Sequence, residues 1–126
     1  NEDIRDQYVG TWNVETTGEL TFIFLGENIG SLPLDNNSTV EITKSGENDL
    51  MLGDDKYSVV GTNISSEIIS SNLTTNEGLD LFLDTEYNGI LGSNRITING
   101  LVTGTWNDSE GFSGNLSGSA TSILTK

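Results

Sequence analysis

The chain has 126 residues, 33% of them hydrophobic, and its 19 acidic and 5 basic side chains give a formal net charge of -14. This length fits one domain, which we expect to span residues 1–126. The charge excludes a nucleic-acid partner, because phosphates would be repelled and no counterions would be released. The absence of cysteine and histidine excludes zinc fingers, thiolate nucleophiles and Ser-His-Asp triads.

The composition predicts an all-β fold. Ala120 is the single alanine, whereas valine, isoleucine and threonine are frequent, and these β-branched residues favour strands over helices. Glycine, asparagine, aspartate and serine recur at short intervals, as a fold with many tight turns requires.

The sequence also predicts a location. No apolar run is long enough to form a transmembrane helix, and a chain without cysteine is not typical of a eukaryotic secreted scaffold. We therefore expect an extracytoplasmic protein of the bacterial periplasm or cell surface. Because the chain begins at Asn1 rather than at methionine, we expect a signal peptide, and a cysteine that carries a lipid anchor, upstream of it.

In chain order, the first predicted element is a helical turn over residues 2–8. A hairpin follows, in which residues 8–15 and 20–25 form the strands and Thr17-Gly18 forms the turn. Residues 26–37 resemble a loop, because they contain the only proline and a polar cluster.

The middle of the chain predicts several shorter strands. Apolar residues alternate with polar ones near Val40, Leu50 and Tyr57, which is the period of a half-buried strand. Another strand is predicted through Ile64, Ser66 and Ile68. After a turn at residues 76–78, the alternating leucines at positions 79, 81 and 83 predict a further strand.

Two long alternating segments in the last third predict a long hairpin. Residues 96–106 and 112–120 place apolar side chains or glycines at even positions, on either side of a loop at residues 107–111. If Trp106 lies opposite Phe112, glycines face glycines and large apolar residues face each other. This matching predicts the register of the hairpin.

No helix of ordinary length is predicted between the strands, so the pattern disfavours a parallel βαβ fold. Sequential hairpins indicate an antiparallel up-and-down meander. Roughly eight to ten strands of this kind close into a β-barrel.

The first strand carries a recognisable motif. Gly10-Thr11-Trp12, just after the predicted helical turn, resembles the Gly-x-Trp signature of lipocalins and the wider calycin group. The likeness is greater to small calycin-like lipoproteins of the bacterial envelope, which combine such a strand with a final hairpin rich in glycine, threonine, asparagine and serine. The resemblance implies a lipocalin-like barrel in which Trp12 plugs one end beneath an arginine, either Arg5 or Arg95.

The chain departs from three related groups of barrels. It has neither the C-terminal helix nor the disulfides of lipocalins proper, and residues 17–19 leave no room for the helical lid of intracellular lipid-binding proteins. Avidin-like barrels line their biotin pockets with several tryptophans, whereas only Trp12 and Trp106 occur here.

The resemblance implies that a small, mostly apolar molecule binds inside the barrel. The candidate ligand-binding residues are Trp12, Phe22, Phe24 and Trp106. For the two tryptophans, the alternatives are walls of a binding site and bulky residues that fill the barrel ends, and we favour the second. The glycines at positions 100, 104, 114 and 118 either leave a hollow for a ligand or receive large side chains and relieve strand coiling, and again we favour the second.

Metal binding and catalysis are disfavoured. Asp54-Asp55 and the cluster at residues 35–37 offer oxygen ligands for calcium, but the chain has no Asp-x-Asp-x-Asp-Gly loop, so we assign both to turns. With 19 carboxylates, no pair is distinguished as the two acids of a glycosidase. We therefore expect no metal, no cofactor, no catalytic residue and no enzyme activity.

The sequence thus predicts a non-catalytic, extracytoplasmic, lipocalin-like binding protein for a small, mostly apolar ligand. The alternative is an envelope interaction module with a solid barrel, whose loops contact a protein or a glycan. A third hypothesis is inhibition of a secreted hydrolase, but the predicted loops contain no inhibitory signature. A carrier requires a cavity of about 300 Å³ or more with an open mouth, so cavity size distinguishes the first two hypotheses.

Overall fold

The structure is a computed structural model that describes residues 3–126. Glu2, where the predicted helical turn starts, and everything upstream of Asn1 lie outside the described residues. A 3-10 helical turn at Ile4–Tyr8 opens this part of the chain. The ten strands that follow are β1 Gly10–Phe24, β2 Glu27–Pro33, β3 Asn36–Ser45, β4 Asp49–Leu52, β5 Asp55–Val60, β6 Asn63–Ser66, β7 Ile69–Thr74, β8 Asp80–Gly92, β9 Arg95–Asn107 and β10 Ser113–Thr125.

The strands form one antiparallel sheet that returns on itself as a ring. Eight of them follow each other around the ring as β1, β3, β4, β5, β6, β8, β9 and β10, and β10 pairs with β1. The seam between β1 and β10 extends from the pair Asn13–Thr125 to the pair Ile23–Asn115. The all-β prediction is therefore confirmed. Among the described residues, no helix is long and apolar enough to cross a membrane.

At two positions in the ring, a pair of shorter strands takes the place of one long strand. β3 pairs with residues 10–16 of β1, and β2 pairs with residues 19–24 along the same edge. In the same way, β6 pairs with residues 88–90 of β8, and β7 pairs with residues 80–85. β2 and β7 therefore lie at the same end of the ring, next to the halves of β1 and β8 that β3 and β6 leave unpaired.

The half of the ring around Trp12, here termed the closed half, is filled with side chains. Trp12 is 1% exposed, its ring stacks on Tyr8 at a centroid distance of 6.2 Å, and its Nε1 donates to the Tyr8 carbonyl over 2.8 Å. The buried residues of this half are Tyr8, Trp12, Ile42, Leu50, Leu52, Tyr57, Ile64, Leu91, Ile96, Ile98 and Leu124.

A charged cap covers the end of the closed half. Arg5 is buried, and its Nη1 donates to the carbonyls of residues 45, 46 and 49 in the turn between β3 and β4, over 3.2, 3.3 and 2.8 Å. Its Nη2 donates to Asp3 Oδ2 over 2.7 Å. These contacts tie the 3-10 turn to the β3–β4 hairpin. The cation over Trp12 is Lys126, whose Nζ lies 5.5 Å from the centroid of the indole ring, and Arg95 is exposed.

The other half of the ring, here termed the open half, has a smaller core. Leu81, Trp106 and Leu116 are buried there, and Phe22, Phe24, Leu79 and Leu83 pack against them. Between the two clusters the inward-facing residues of β1 and β9 include small or polar ones, although Leu20 and Val102 are also buried there. Thr16 of β1, for example, hydrogen-bonds Ser122 of β10 over 2.8 Å.

The structure corrects the predicted first hairpin and the loop after it. β1 continues without a turn through Thr17 and Gly18, which pair with Thr121 and Ala120 of β10. Gly18 allows β1 to approach β10 closely and does not reverse the chain. A Cβ at this position would lie 2.7 Å from the Cα of Ala120. The predicted loop at residues 26–37 contains β2 and the start of β3.

The register of the last hairpin differs from the prediction by two residues. Trp106 pairs with Gly114 rather than with Phe112, and Val102 pairs with Gly118. Large residues therefore face glycines, and a Cβ at Gly114 would lie 2.6 Å from Trp106 Nε1. The loop shifts the register, because Asp108 Oδ1 accepts the N–H groups of Glu110 and Phe112 and so keeps Phe112 out of the strand.

We predict that Trp12→Ala destabilises the fold by about 3–5 kcal/mol, because it removes a fully buried indole and leaves a cavity in the closed half. Chemical denaturation measures the free energy of unfolding. The control is Leu101→Ala, since Leu101 is 66% exposed on β9 and its truncation should change stability by about 0.5 kcal/mol at most. A loss below about 1 kcal/mol for Trp12→Ala would contradict the packing described above.

Because Asp3 and Arg5 form an ion pair, we predict that the stability of the fold changes at acid pH. Hydrogen bonds from Arg5 hold the pKa of Asp3 at about 2, below its ordinary value of 3.8. Because this pKa is lower in the folded state, the pair stabilises the fold above about pH 4, and its contribution is lost as the pH falls through about 2. The urea midpoint should therefore fall more steeply over this interval in the wild type than in Asp3→Asn. Parallel curves would show that the pair contributes nothing.

Candidate functional site

The open half has a gap in its wall because the β4–β5 hairpin is short. β4 has 4 residues and β5 has 6, whereas β1 has 15 and β8, β9 and β10 have 13 each. The hairpin of β4 and β5 therefore closes the wall only beside the closed half. Among residues 3–126, no strand bridges β2 and β7 at the other end.

This gap is the candidate site, here termed the cleft. It has a volume of about 450 Å³ and opens to solvent. Its apolar floor consists of Phe22 of β1, Leu32 of β2, Leu73 of β7 and Leu79. Polar residues surround this floor, namely Ser31, Thr74, Thr75, Asn76 and Glu77. The arrangement of an apolar floor and a few polar groups is typical of sites for small organic molecules.

One rim of the cleft is an ordered turn. The Thr75 N–H donates to the Leu79 carbonyl over 2.9 Å, and the Gly78 N–H donates to the Thr75 carbonyl over 3.0 Å. The Thr75 hydroxyl also accepts the N–H of Leu79 over 3.1 Å. These bonds order the turn that carries Leu79 of the floor and Glu77, the one acidic residue that lines the cleft.

The structure brings three of the four predicted ligand-binding aromatics together. Phe22, Phe24 and Trp106 belong to the core of the open half, whereas Trp12 lies in the closed half. Of the four, Phe22 lines the cleft.

Phe24 and Trp106 pack in the core of the open half and are not among the residues that line the cleft. Their ring centroids lie 5.9 Å apart, and Phe24 also makes an edge-to-face contact with Phe112 at 5.9 Å. Trp106 is 5% exposed, and its Nε1 donates to the Ile23 carbonyl over 3.2 Å. This hydrogen bond anchors the indole to β1.

A second opening, of about 320 Å³, lies outside β5 and β6 and is lined mainly by charged residues. Asp49 and Lys56 form an ion pair there over 3.4 Å. Among the described residues, no group of three or more acidic side chains is arranged to hold a metal ion. The polar lining makes this opening unsuited to an apolar ligand.

The groups with shifted pKa values lie away from the cleft. Burial raises the pKa of the Tyr57 and Tyr87 hydroxyls, whose rings are 6.2 Å apart in the closed half. Asp3 and Arg5 belong to the cap. Because catalytic acids and bases are commonly marked by such shifts, their positions do not indicate a reaction centre in the cleft.

Sequence reasoning did not identify Leu32, Leu73 or Leu79 as lining residues. Leu32 falls in the stretch interpreted as a loop. Leu73 lies on β7, where the inward residues are odd-numbered, as the pairs Leu73–Leu81 and Ser71–Leu83 show. In β6 the inward residue Ile64 is even-numbered, so the interruption between β6 and β7 changes the phase of the alternation. The pattern at residues 69, 71 and 73 is the signal that locates this strand.

Comparisons with known proteins found no relative of this chain. Neither a protein-family model, nor a curated protein, nor a solved structure matches the chain.

Proposed function

We propose that this chain is a non-catalytic, extracytoplasmic binding protein that holds a small, mostly apolar ligand in the cleft. The observation that carries this proposal is the apolar floor of the cleft, which combines Phe22, Leu32, Leu73 and Leu79 in an opening of about 450 Å³. This volume falls in the range of about 300–1,000 Å³ that is typical of ligand pockets.

The proposal places the ligand at one end of the ring and not along its whole axis. The closed half is filled by its own side chains, so a ligand has no space beside Trp12. In the open half, Leu73 is 49% exposed, and covering such an apolar surface is favourable at about 25 cal/mol per Å².

We further propose that the ring is a calycin-type up-and-down barrel of the bacterial envelope. The 3-10 turn before β1, the buried Trp12 of the Gly-Thr-Trp motif and the long β9–β10 hairpin support this assignment. The net charge of -14 is consistent with an extracytoplasmic protein that stays dispersed at a crowded cell surface.

Titration with N-phenyl-1-naphthylamine, a neutral apolar fluorophore, tests the proposed ligand site. We expect a saturable rise in fluorescence that is weakened about tenfold or more in Leu73→Asp, because the bound probe would desolvate the new carboxylate. The matched control is Leu101→Asp, which adds the same charge at an exposed leucine of β9 and should leave the affinity unchanged. If the wild type shows no saturable binding, or if both variants bind alike, the proposed site is wrong.

A specific observation also favours an interaction module, here one that uses strand edges rather than the loops predicted from the sequence. Among the described residues, β2 pairs only with β1 and β7 pairs only with β8. Each therefore has an edge without a strand partner, and such edges are surfaces on which other chains can pair.

A further inference from the structure

The free edge of β7 borders the cleft. Residues 69–74 pair with residues 80–85 of β8 on one side, and no strand within residues 3–126 pairs with the other side. Leu73 and Thr74 at this edge line the cleft. An edge strand presents a row of unpaired N–H and C=O groups, which an extended chain can satisfy by adding a strand to the sheet.

The two edges that face the cleft differ in how well they are protected. The register of β2 against β1 shifts between Phe22 and Ile23, and β2 contains Gly30 and Pro33. Bulges and prolines are devices by which natural edge strands avoid pairing. β7 has the sequence Ile-Ser-Ser-Asn-Leu-Thr, with no proline, no glycine and no charge. The edge of β7 is therefore the one open to a new strand.

The side chains beside this edge define what an added strand should carry. Ile69, Ser71 and Leu73 share the face that points into the ring, because their partners on β8 are Thr85, Leu83 and Leu81. A strand added beside β7 would place alternate side chains on this same face, over the cleft floor. Apolar residues at alternate positions would then contact Phe22 and Leu32.

The negative charge around β7 favours a basic partner. Residues 67–84 contain Glu67, Glu77, Asp80 and Asp84 but no lysine or arginine. The whole chain carries -14, so a second copy would be repelled, whereas a segment with lysine or arginine at its ends would be attracted.

We propose that the free edge of β7 accepts an extended segment of a partner polypeptide by strand addition, and that this segment has apolar residues at alternate positions and basic residues at its ends. This inference goes beyond the proposed function, because it concerns a polypeptide recognised through its backbone. The two binding events share the cleft floor, but only strand addition depends on hydrogen bonds to β7.

The experiment uses the full chain and a capped peptide of sequence Lys-Val-Thr-Val-Thr-Val-Lys as the probe. Amide hydrogen exchange followed by NMR should show added protection for alternate residues of β7 when the peptide binds, because their N–H groups gain acceptors. N-methylation of the peptide should abolish binding when it removes the N–H groups facing β7. The same modification on the other set of alternate residues should be tolerated.

Two protein variants provide a matched comparison. Ser71→Lys places a charge on the inward face of the edge, which is a natural form of edge protection, and should weaken peptide binding by about tenfold or more. Ser70→Lys adds the same charge on the outward face, beside Asp84, to which Ser70 now donates over 2.6 Å. It should change the affinity by about twofold at most, as expected for an exposed charge.

Several results would overturn the inference. Peptide binding without protection of β7, equal binding by both N-methylated peptides, or no binding at all would each exclude strand addition. Dimerisation through β7, detected by sedimentation and by protection of β7 without peptide, would show that the occupant is a second copy. Fluorophore binding without peptide binding would overturn this inference alone, and peptide binding without fluorophore binding would overturn the proposed function alone.

Discussion

The close approach of β1 to β10 is the constraint on which the rest of the structure depends. These strands are far apart in sequence, and their pairing turns a curved sheet into a ring. At the middle of the seam Gly18 pairs with Ala120 and Gly118 with Leu20, and neither glycine could carry a side chain. A Cβ at Gly18 would collide with Ala120, and one at Gly118 would lie 3.0 Å from the Cα of Leu20. Tightly coiled strands crowd the inner face of a sheet, and glycine relieves that crowding. Close approach at the seam thus explains Gly18 and Gly118 without requiring a hollow interior.

The closed ring in turn determines where a cleft can form. Four long strands, β1, β8, β9 and β10, span both halves, so the wall that they build is continuous. The short β4–β5 hairpin completes the wall only around Trp12, where Leu50 and Tyr57 enter the core. Around Trp106 the wall ends at β2 and β7, and the apolar residues between these strands remain partly exposed. The cleft is therefore a consequence of strand length rather than of a missing core.

Sequence reasoning predicts the strand content well because period-two alternation is strong in β8, β9 and β10. It fails where a residue has two physical roles. Gly18 resembles a turn residue, yet it permits close packing against β10. Register is also poorly predicted, because matching residues by size puts Trp106 opposite a bulky partner, whereas the structure puts it opposite Gly114. Because the indole projects over the glycine, pairing residues of similar size does not predict this register.

The candidate site is only partly predictable, because alternation is regular in some strands and interrupted in others. Phe22 is identified because it is one of the few aromatic residues on the predicted strands of the barrel. Leu73 is missed because the phase of the alternation changes between β6 and β7, so a pattern extended from Ile64 through Ile68 assigns the wrong residues to the inner face. In the structure Ile68 is 64% exposed, and Ile69 is the first inward-facing residue of β7. Interruptions of this kind are set by tertiary pairing with β8, so the alternation of one strand does not predict the phase of the next.

The division of the ring into two halves also separates stability from recognition. The closed half holds the larger buried core, the cap formed by Asp3 and Arg5, and the anchored Trp12, so it contains the contacts that are most costly to lose. The open half has a smaller core and exposed leucines, and among residues 3–126 two of its strand edges have no strand partner. Because free energies of local opening differ within one protein, the region with fewer buried contacts is the one able to adjust to a ligand or an added strand. Substitutions on the cleft floor can then alter what binds with little effect on the packing around Trp12, since contacts that share no neighbours contribute independently to stability.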